Sequence, residues 1–417
     1  MTRLTATLDA DHDVLLNRLT LSNFRNYEEL DMELGQGVTL IAGANAQGKT
    51  NLLEAVYLLA TTRSPRTTSD SDFVNWRAAR DETPVTRVAG SAVGQRGEVE
   101  VELAMAARAS RATTTSSERW PDDATPPQGL SVSKRLRLNG VPRRASDVIG
   151  AIPAVFFSTI DMDVISGAPA LRRRYLDLMI SQIDRAYVSA LGRFTKVLSQ
   201  RNALLKRLQE GAADEDELDF WDVELSREGG IVQAARARAV EALGETATRA
   251  HQLLSVAAED LTVRYLPKIG DAASPQELAA ASDEDAAALL GRALRAQRQR
   301  EIGAGMTLAG PHRDDLAILI HGAAAAAFGS RAQQRSAALS LRLAESELIR
   351  KGSGEQPVIL LDDVLSELDR ARQDAVLGAM SEFSQLLVTS AEVERFPEHF
   401  RQAARVFTVH AGVVSPA

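Results

Sequence analysis

Residues Gly43-Ala44-Asn45-Ala46-Gln47-Gly48-Lys49-Thr50 follow the spacing GxxxxGK[ST]. Each residue type serves one chemistry. Glycines let successive backbone N–H groups wrap a phosphate. A helix that starts at Lys49 points the positive end of its dipole at the same charge. The Lys49 ammonium reaches the β- and γ-phosphates of a nucleoside triphosphate, the Thr50 hydroxyl ligates Mg²⁺, and Asn51 follows in the first helical turn. The pattern therefore predicts a site for ATP and Mg²⁺.

Asp362-Asp363 supplies a second half. The pair follows Val358-Ile359-Leu360-Leu361, an apolar run of the kind that forms a buried parallel strand. Carboxylates at the carboxyl end of such a strand sit where an open α/β sheet holds its ligand. Asp362 is expected to hold Mg²⁺ through its water shell and Asp363 to polarise the attacking water. The competing reading, a helix N-cap, accounts for one carboxylate but not two. Further on, Ser366-Glu367-Leu368-Asp369 reads as a helix start. Ser330-Arg331-Ala332-Gln333-Gln334-Arg335 precedes an apolar period at Leu339, Leu343 and Leu348, so a Ser hydroxyl and helix N-terminal amides form either an anion site or a plain N-cap.

These residues need elements to position them. Val38 to Ala42 is a buried strand entering the Gly-rich turn, and Leu52, Leu53, Val56 and Leu59 give the helix after it. Val99 to Met105 and Val132 to Leu138 alternate as strands, the second ending in the hairpin dipeptide Asn139-Gly140. The Thr-, Ser- and Pro-rich stretch 107–129 between them is expected to be a disordered insertion, and residues 1–13 a loose tail. From Leu176 to Leu205 the apolar period predicts one long helix. A second follows from Phe220 to Ala258, interrupted at Gly229-Gly230, and the two make an antiparallel arm. Leu261 to Leu266 is a strand returning to the main body, and a polar stretch leads to the last third. There a helix from Ser366 to Phe383 links Val358–Leu361 to Leu386–Thr389, with Val406–Val409 a further strand. The expected fold class is α/β, a P-loop head at 14–168 and 301–417 with a helical arm domain inserted at 169–300.

Composition narrows the class. The chain of 417 residues is 45% apolar and 25% charged, as in an ordinary soluble globular protein, and has no cysteine, which excludes disulfides and thiolate sites. No apolar run reaches the ~18 residues needed to cross a membrane, so a cytoplasmic protein is expected. The net charge of −8 gives no global basic footprint for nucleic acid. Local clusters do: Lys134, Arg135, Arg137, Arg143 and Arg144 lie in a stretch without acids, and Arg63 and Arg66 follow the P-loop helix. Such cations suit DNA phosphates; a solvated charged face is the bland alternative. His312, between Pro311 and Arg313, has no second His or Cys near it and reads as part of a structural turn.

The motifs together resemble ATP-binding-cassette ATPases of the SMC and Rad50 kind. The resemblance is to the RecF family of bacterial recombination mediators over nearly all of Leu16 to Val409. It is carried by Asn23-Phe24-Arg25-Asn26-Tyr27, the P-loop, Gly310-Pro311-His312-Arg313-Asp314-Asp315 and Leu360 to Asp369. It implies an ATP-dependent homodimer with nucleotide between the P-loop of one head and the signature residues Ser330 and Gln333 of the other. Asp369 then lies near the opposite P-loop and Arg25 near the nucleotide. It further implies DNA binding at single-strand gaps, partners RecR and RecO, a role in DNA repair, replication, recombination and the SOS response, and no membrane. An SMC- or Rad50-like DNA tether is the alternative. Ala332 stands where the family signature usually has Gly, where its methyl group either narrows the approach to phosphate or, at negative φ, has no effect. Leu387-Val388-Thr389-Ser390 replaces the switch His of transporter-type cassettes, so hydrolysis is expected to be slow, and the resemblance implies a weak, DNA-stimulated ATPase.

Overall fold

The computed structural model describes residues 13–75, 78, 84–95, 97–109, 130–255 and 259–417. Residues 1–12 of the tail and 110–129 of the insertion lie outside them. The chain forms two compact units, Met1–Thr159 with Ile349–Ala417, and Ile160–Leu348.

The first unit opens with β1 (Leu15–Phe24), β2 (Tyr27–Glu33), β3 (Gly37–Ala42) and α1 (Lys49–Thr61). It continues through β4 (Val85–Gly94), β5 (Gly97–Ala109), β6 (Leu130–Leu138), β7 (Val141–Pro142), α2 (Ala145–Val148) and β8 (Ala154–Ser158). In the second unit follow α3 (Met162–Ser166), α4 (Pro169–Ser181), α5 (Arg185–Gln209), α6 (Glu217–Leu254), β9 (Leu261–Leu266), α7 (Pro275–Ala280) and α8 (Asp283–Ala304). Then come β10 (Asp315–Ile320), β11 (Ala323–Ala324), α9 (Ala325–Phe328) and α10 (Arg331–Ser353). The first unit resumes with β12 (Val358–Asp362), α11 (Arg370–Met380), β13 (Gln385–Ser390), α12 (Glu398–Ala403), β14 (Arg405–His410) and β15 (Val413–Pro416).

Two six-stranded sheets build the first unit, in the orders β2-β1-β4-β5-β6-β7 and β15-β14-β3-β13-β12-β8. The first sheet is antiparallel. In the second, β14, β3, β13, β12 and β8 run parallel. The apolar runs of β3, β12 and β13 are buried on both faces, which explains why they carry no alternation. Helix α1 packs on β4 of one sheet and on β8 and β12 of the other, so it is buried nearly all round. Strand β8 (Ala-Val-Phe-Phe-Ser) was not anticipated; it pairs in parallel with β12 and sets Ser158 opposite Asp362. The strand before the insertion also runs further than expected, through Ala109.

The second unit corrects the two-helix arm. The predicted helix Leu176–Leu205 breaks between α4 and α5, where the Asp184 carboxylate accepts from the Tyr187 backbone N–H at 3.0 Å and caps a new helix. Helix α6 is continuous through Gly229-Gly230 for 38 residues. A Cβ on Gly230 would lie 2.5 Å from the Ala287 nitrogen, so these glycines admit α8 against α6 instead of ending the helix. The polar stretch after β9 itself forms α8, a third long helix. Strand β9 pairs antiparallel with β10 inside this unit. Residues 301–348 accordingly pack here, whereas the sequence reading drew its boundaries at 168/169 and 300/301.

The Gly310–Asp315 turn is the polar centre of the unit. Buried Asp314 accepts from Gln233 at 2.9 Å, from the Lys268 backbone N–H at 2.7 Å and from the Tyr265 hydroxyl, and pairs with Arg236 at 3.3 Å. His312 Nε2 donates to the Thr307 carbonyl at 3.0 Å. Burial pushes its pKa from 6.5 down to about 4, with Arg313 and Arg173 acting in the same direction. A depressed pKa stabilises the fold above the unfolded value and is lost as pH falls through the folded one. Unfolding experiments should therefore show stability falling between about pH 6.5 and 4, and His312→Phe should flatten that slope; an unchanged slope refutes the assignment to His312.

Candidate functional site

The Gly43–Thr50 loop joins β3 to α1 as the sequence predicts, and its backbone is unusual. Gly43, Ala46 and Gly48 all have positive φ, at 155°, 65° and 117°. At Gly48 a Cβ would lie 2.3 Å from Asn26 Nδ2, and at Gly43 one would lie 2.5 Å from the Val409 carbonyl oxygen. Only glycine meets both demands at these two positions. Helix α1 has no side-chain cap and no acid in its first turn. Its leading N–H groups and dipole thus remain available to an anion.

Lys49 is buried beside the loop and donates to the Gly43 and Ala44 carbonyls at 2.6 and 2.8 Å. Burial lowers its pKa, while Asp363 and Asp362 support its charge. The decisive long-range contact is between Thr50 and Asp362: Thr50 Oγ1 donates to Asp362 Oδ1 at 2.8 Å. Thr389 Oγ1 donates to the same oxygen at 2.9 Å. Burial raises the Asp362 pKa, the two hydroxyls and Arg66 opposing it. Asp363 takes a left-handed backbone (φ 52°) and its N–H donates to Thr389 Oγ1 at 3.1 Å. Lys49, Thr50, Asp362 and Asp363 are therefore brought together, with Thr389, which the sequence marks only as part of the segment in place of the switch His, bridging the acidic pair. These groups fit a metal-bound triphosphate: hydroxyl and carboxylate oxygens for the cation, ammonium and free amides for the anion.

Two turns brace the loop. Asn26, between β1 and β2, donates to the Gln47 carbonyl at 2.9 Å and accepts from Asn51 at 2.8 Å; Tyr27 donates to the Gly48 carbonyl at 3.0 Å. On the other side, the β14–β15 turn donates from Ala411 N to Gln47 Oε1 at 2.7 Å. The Gln47 side chain thus holds the loop. Arg25 makes a two-pronged pair with Glu54, at 3.0 and 2.9 Å. Asp369 caps α11 through the Arg372 backbone N–H at 3.0 Å, so the helix predicted from Ser366 begins only at Arg370.

In the second unit, Ser330 and Gln333 form a reciprocal capping box at the start of α10. Gln333 N–H donates to Ser330 Oγ at 3.2 Å, and Ser330 N–H to Gln333 Oε1 at 2.8 Å. Ala332 lies within α10 on ordinary helical backbone, a conformation that asks for no glycine.

A family model described as RecF/RecN/SMC N terminal domain matches residues 15–415. The DNA replication and repair protein RecF of Chloroflexus aurantiacus is 39% identical over 96% of this chain and 99% of its own length. That of Geobacillus thermodenitrificans is 34% identical, again over 96% and 99%. A solved structure of the recombination mediator protein RecF with ATP superposes with a TM-score of 0.81 at 30% identity, covering 98% of this chain and 99% of that one. The chain belongs to the RecF family.

In this RecF-family chain the expected basic face is divided. Strand β6 alternates, so Arg135 and Arg137 share the exposed face while Lys134 points the other way. Lys134 is half-buried and donates to the Thr62 carbonyl and Asp70 at 2.9 and 2.7 Å. Arg137 pairs with Glu102 of β5 at 3.3 Å. Among the described residues Arg135, Arg143 and Arg144 have no carboxylate partner, and Arg63 is exposed beyond α1. Arg66 bonds Asn51 at 3.1 Å and faces Glu54 at 3.6 Å, on the nucleotide-loop side. No helix among the described residues is long and apolar enough to cross a membrane.

Glu54 was missed because an acid inside an apolar helical stripe carries no motif. It is fully buried and takes Arg25, Arg66 and the Ser64 hydroxyl. Removing one partner of a buried ion pair leaves the others uncompensated. Glu54→Ala should cost about 3 kcal/mol in urea unfolding; a loss below about 1 kcal/mol would show the cluster to be replaceable by water.

Proposed function

We propose that the chain binds ATP with Mg²⁺ at Gly43–Thr50, dimerises in the bound state and closes on DNA as a recombination mediator. The observation that carries this is the Thr50–Asp362 bond at 2.8 Å, which joins the uncapped, Gly-lined start of α1 to the carboxyl end of β12. Gly43, Ala44, Asn45, Ala46, Gln47 and Gly48 offer backbone N–H groups to the phosphates. Lys49 supplies positive charge, Thr50 and Asp362 hold the metal, and Asp363 orients the water. Asn51 and Arg25 frame the nucleotide side of the loop. When bound, the triphosphate and metal supply the charge that a second copy can recognise. Ser330 is exposed at the start of its helix, and its hydroxyl proton has no acceptor among the described residues. Ser330, Gln333 and Asp369 of a second copy complete the site.

The first unit serves as the ATPase head and the second as the arm. Hydrolysis is slow because a Thr, not a proton-accepting His, stands at position 389 beside the acidic pair. Arg63, Arg135, Arg143 and Arg144 contact DNA phosphates, with the substrate a single-strand gap and RecR and RecO the partners in loading a recombinase. Helix α6, at 38 residues, spans roughly 57 Å, too short for a long-range tether.

Sedimentation with ATP, ADP or no nucleotide, each with and without gapped duplex DNA, tests the reading. The expected result is a dimer with ATP alone and a further shift with DNA that weakens steeply with salt. A monomer indifferent to ATP and DNA overturns it.

A further inference from the structure

The start of α10 is held by two side chains that the nucleotide reading does not use. The Gln333 amide is divided between partners: Oε1 accepts from the Ser330 N–H at 2.8 Å and Nε2 donates to Glu259 Oε1 at 2.9 Å. The other oxygen of Glu259 stands 3.2 Å from His251 Nε2. His251 Nδ1 in turn stands 3.1 Å from Ser340 Oγ. Ser340 is on α10 as well, about two turns beyond Gln333 and on the same face. His251 and Ser340 are fully buried, and the Glu259 side chain is only 15% exposed.

The pair thus grips α10 at two heights. A capping box needs only Ser330 and Gln333 to satisfy the helix end. An added carboxylate does something further: it fixes which end of the Gln333 amide faces Ser330, and a hydrogen bond to a charged acceptor is stronger than one to a neutral group. With the amide so fixed, Oε1 stays on the Ser330 N–H and the reciprocal capping box holds the Ser330 hydroxyl at the exposed start of the helix. The His251–Ser340 contact anchors the carboxylate to the body of the helix.

We propose that Glu259, backed by His251, is a positioning residue that sets the Gln333 amide and the Ser330 hydroxyl for the triphosphate held by a second copy of this chain. The inference rests on the reading of Ser330 and Gln333 given above. Its test is a double-mutant cycle on the full chain, with dimerisation measured by sedimentation at saturating ATP. Glu259→Ala should weaken the dimer about tenfold, the scale of one hydrogen bond to a charged group. Glu259→Gln, whose carbonyl still accepts from Gln333, should stay within about threefold of the unaltered chain on the same scale. Glu259→Ala with Gln333→Ala should be no weaker than Gln333→Ala alone, since the two act through one bond. Should Glu259→Ala not fold, Glu259→Leu fills the site without accepting a bond and the cycle is run with it. Additive losses, or a Glu259→Gln loss equal to that of Glu259→Ala, would assign Glu259 to packing alone and overturn the inference. An unaltered chain that does not dimerise with ATP refutes the nucleotide-site reading, and this inference with it.

Discussion

Asp363→Asn should lower single-turnover ATP hydrolysis by about 10²–10³-fold while leaving an ATP-bound dimer that no longer dissociates. The substitution is clean for a structural reason. Asp363 sits at φ 52°, ψ 20°, a left-handed conformation that Asn adopts as readily as Asp and Ala does not. Its backbone N–H bond to Thr389 needs no carboxylate. What changes is the negative charge that could orient and accept a proton from water, and the support that charge gives the buried Lys49 ammonium. Sedimentation and hydrolysis are measured on the same sample. A rate within about threefold of the unaltered chain, far short of a lost general base, would remove Asp363 from the chemistry. Loss of the dimer as well would mean that the carboxylate serves binding.

Asp362→Asn should separate stability from function. Burial raises the Asp362 pKa in the fold, so the ionised form is disfavoured there. A carboxylate with a raised folded pKa contributes stability that is full below its unfolded pKa of 3.8 and is lost as pH rises through the folded value. At neutral pH the charge therefore destabilises the ligand-free chain. Asparagine keeps an oxygen for the Thr50 and Thr389 hydroxyls and removes the charge, so Tm without nucleotide should rise by about 2 °C. The same change should cost about 10–100-fold in Mg²⁺ affinity and abolish the additional rise in Tm that ATP with Mg²⁺ gives. Thermal unfolding with and without both ligands checks the two signs together. A lower ligand-free Tm would show that the hydroxyl bonds outweigh the burial of charge.

Both effects arise from one device. The nucleotide loop is held by glycines at positive φ, its helix is uncapped, and its Asp362 carboxylate is buried where the charged form is disfavoured. On the proposed reading, each feature is unfavourable in the ligand-free chain and is relieved by an anion with its cation.

Much of this was legible in the residues alone. The P-loop follows from glycine spacing and Lys49-Thr50, because a phosphate cradle has few solutions. The buried strands β3, β12 and β13 follow from unbroken β-branched and Leu runs, and the Asn139-Gly140 hairpin from two residues that tolerate positive φ, here 51° and 74°. Asp362 and Asp363 were found because two carboxylates closing an apolar strand have no purely structural use.

Tertiary structure decided what periodicity cannot state, namely which neighbour each face meets. Gly229-Gly230 looks like a helix break until α8 is seen packed against it. The apolar run to Leu205 looks like one helix until Asp184 is seen capping the second. Lys134 counts among the basic residues by sequence, yet strand alternation turns it onto Asp70. Glu54 and Thr389 carry no local signal, since one is an acid in an apolar helix and the other a Thr in an apolar strand. Only the order β3-β13-β12 sets Thr389 beside Asp362, and only the packing of α1 on β12 sets Thr50 there. The sequence determined that this chain has a P-loop and an acidic pair at the end of a buried apolar strand. Folding determined the rest of the site, because a contact between positions 50 and 362 depends on strand order, and strand order is a property of the whole sheet.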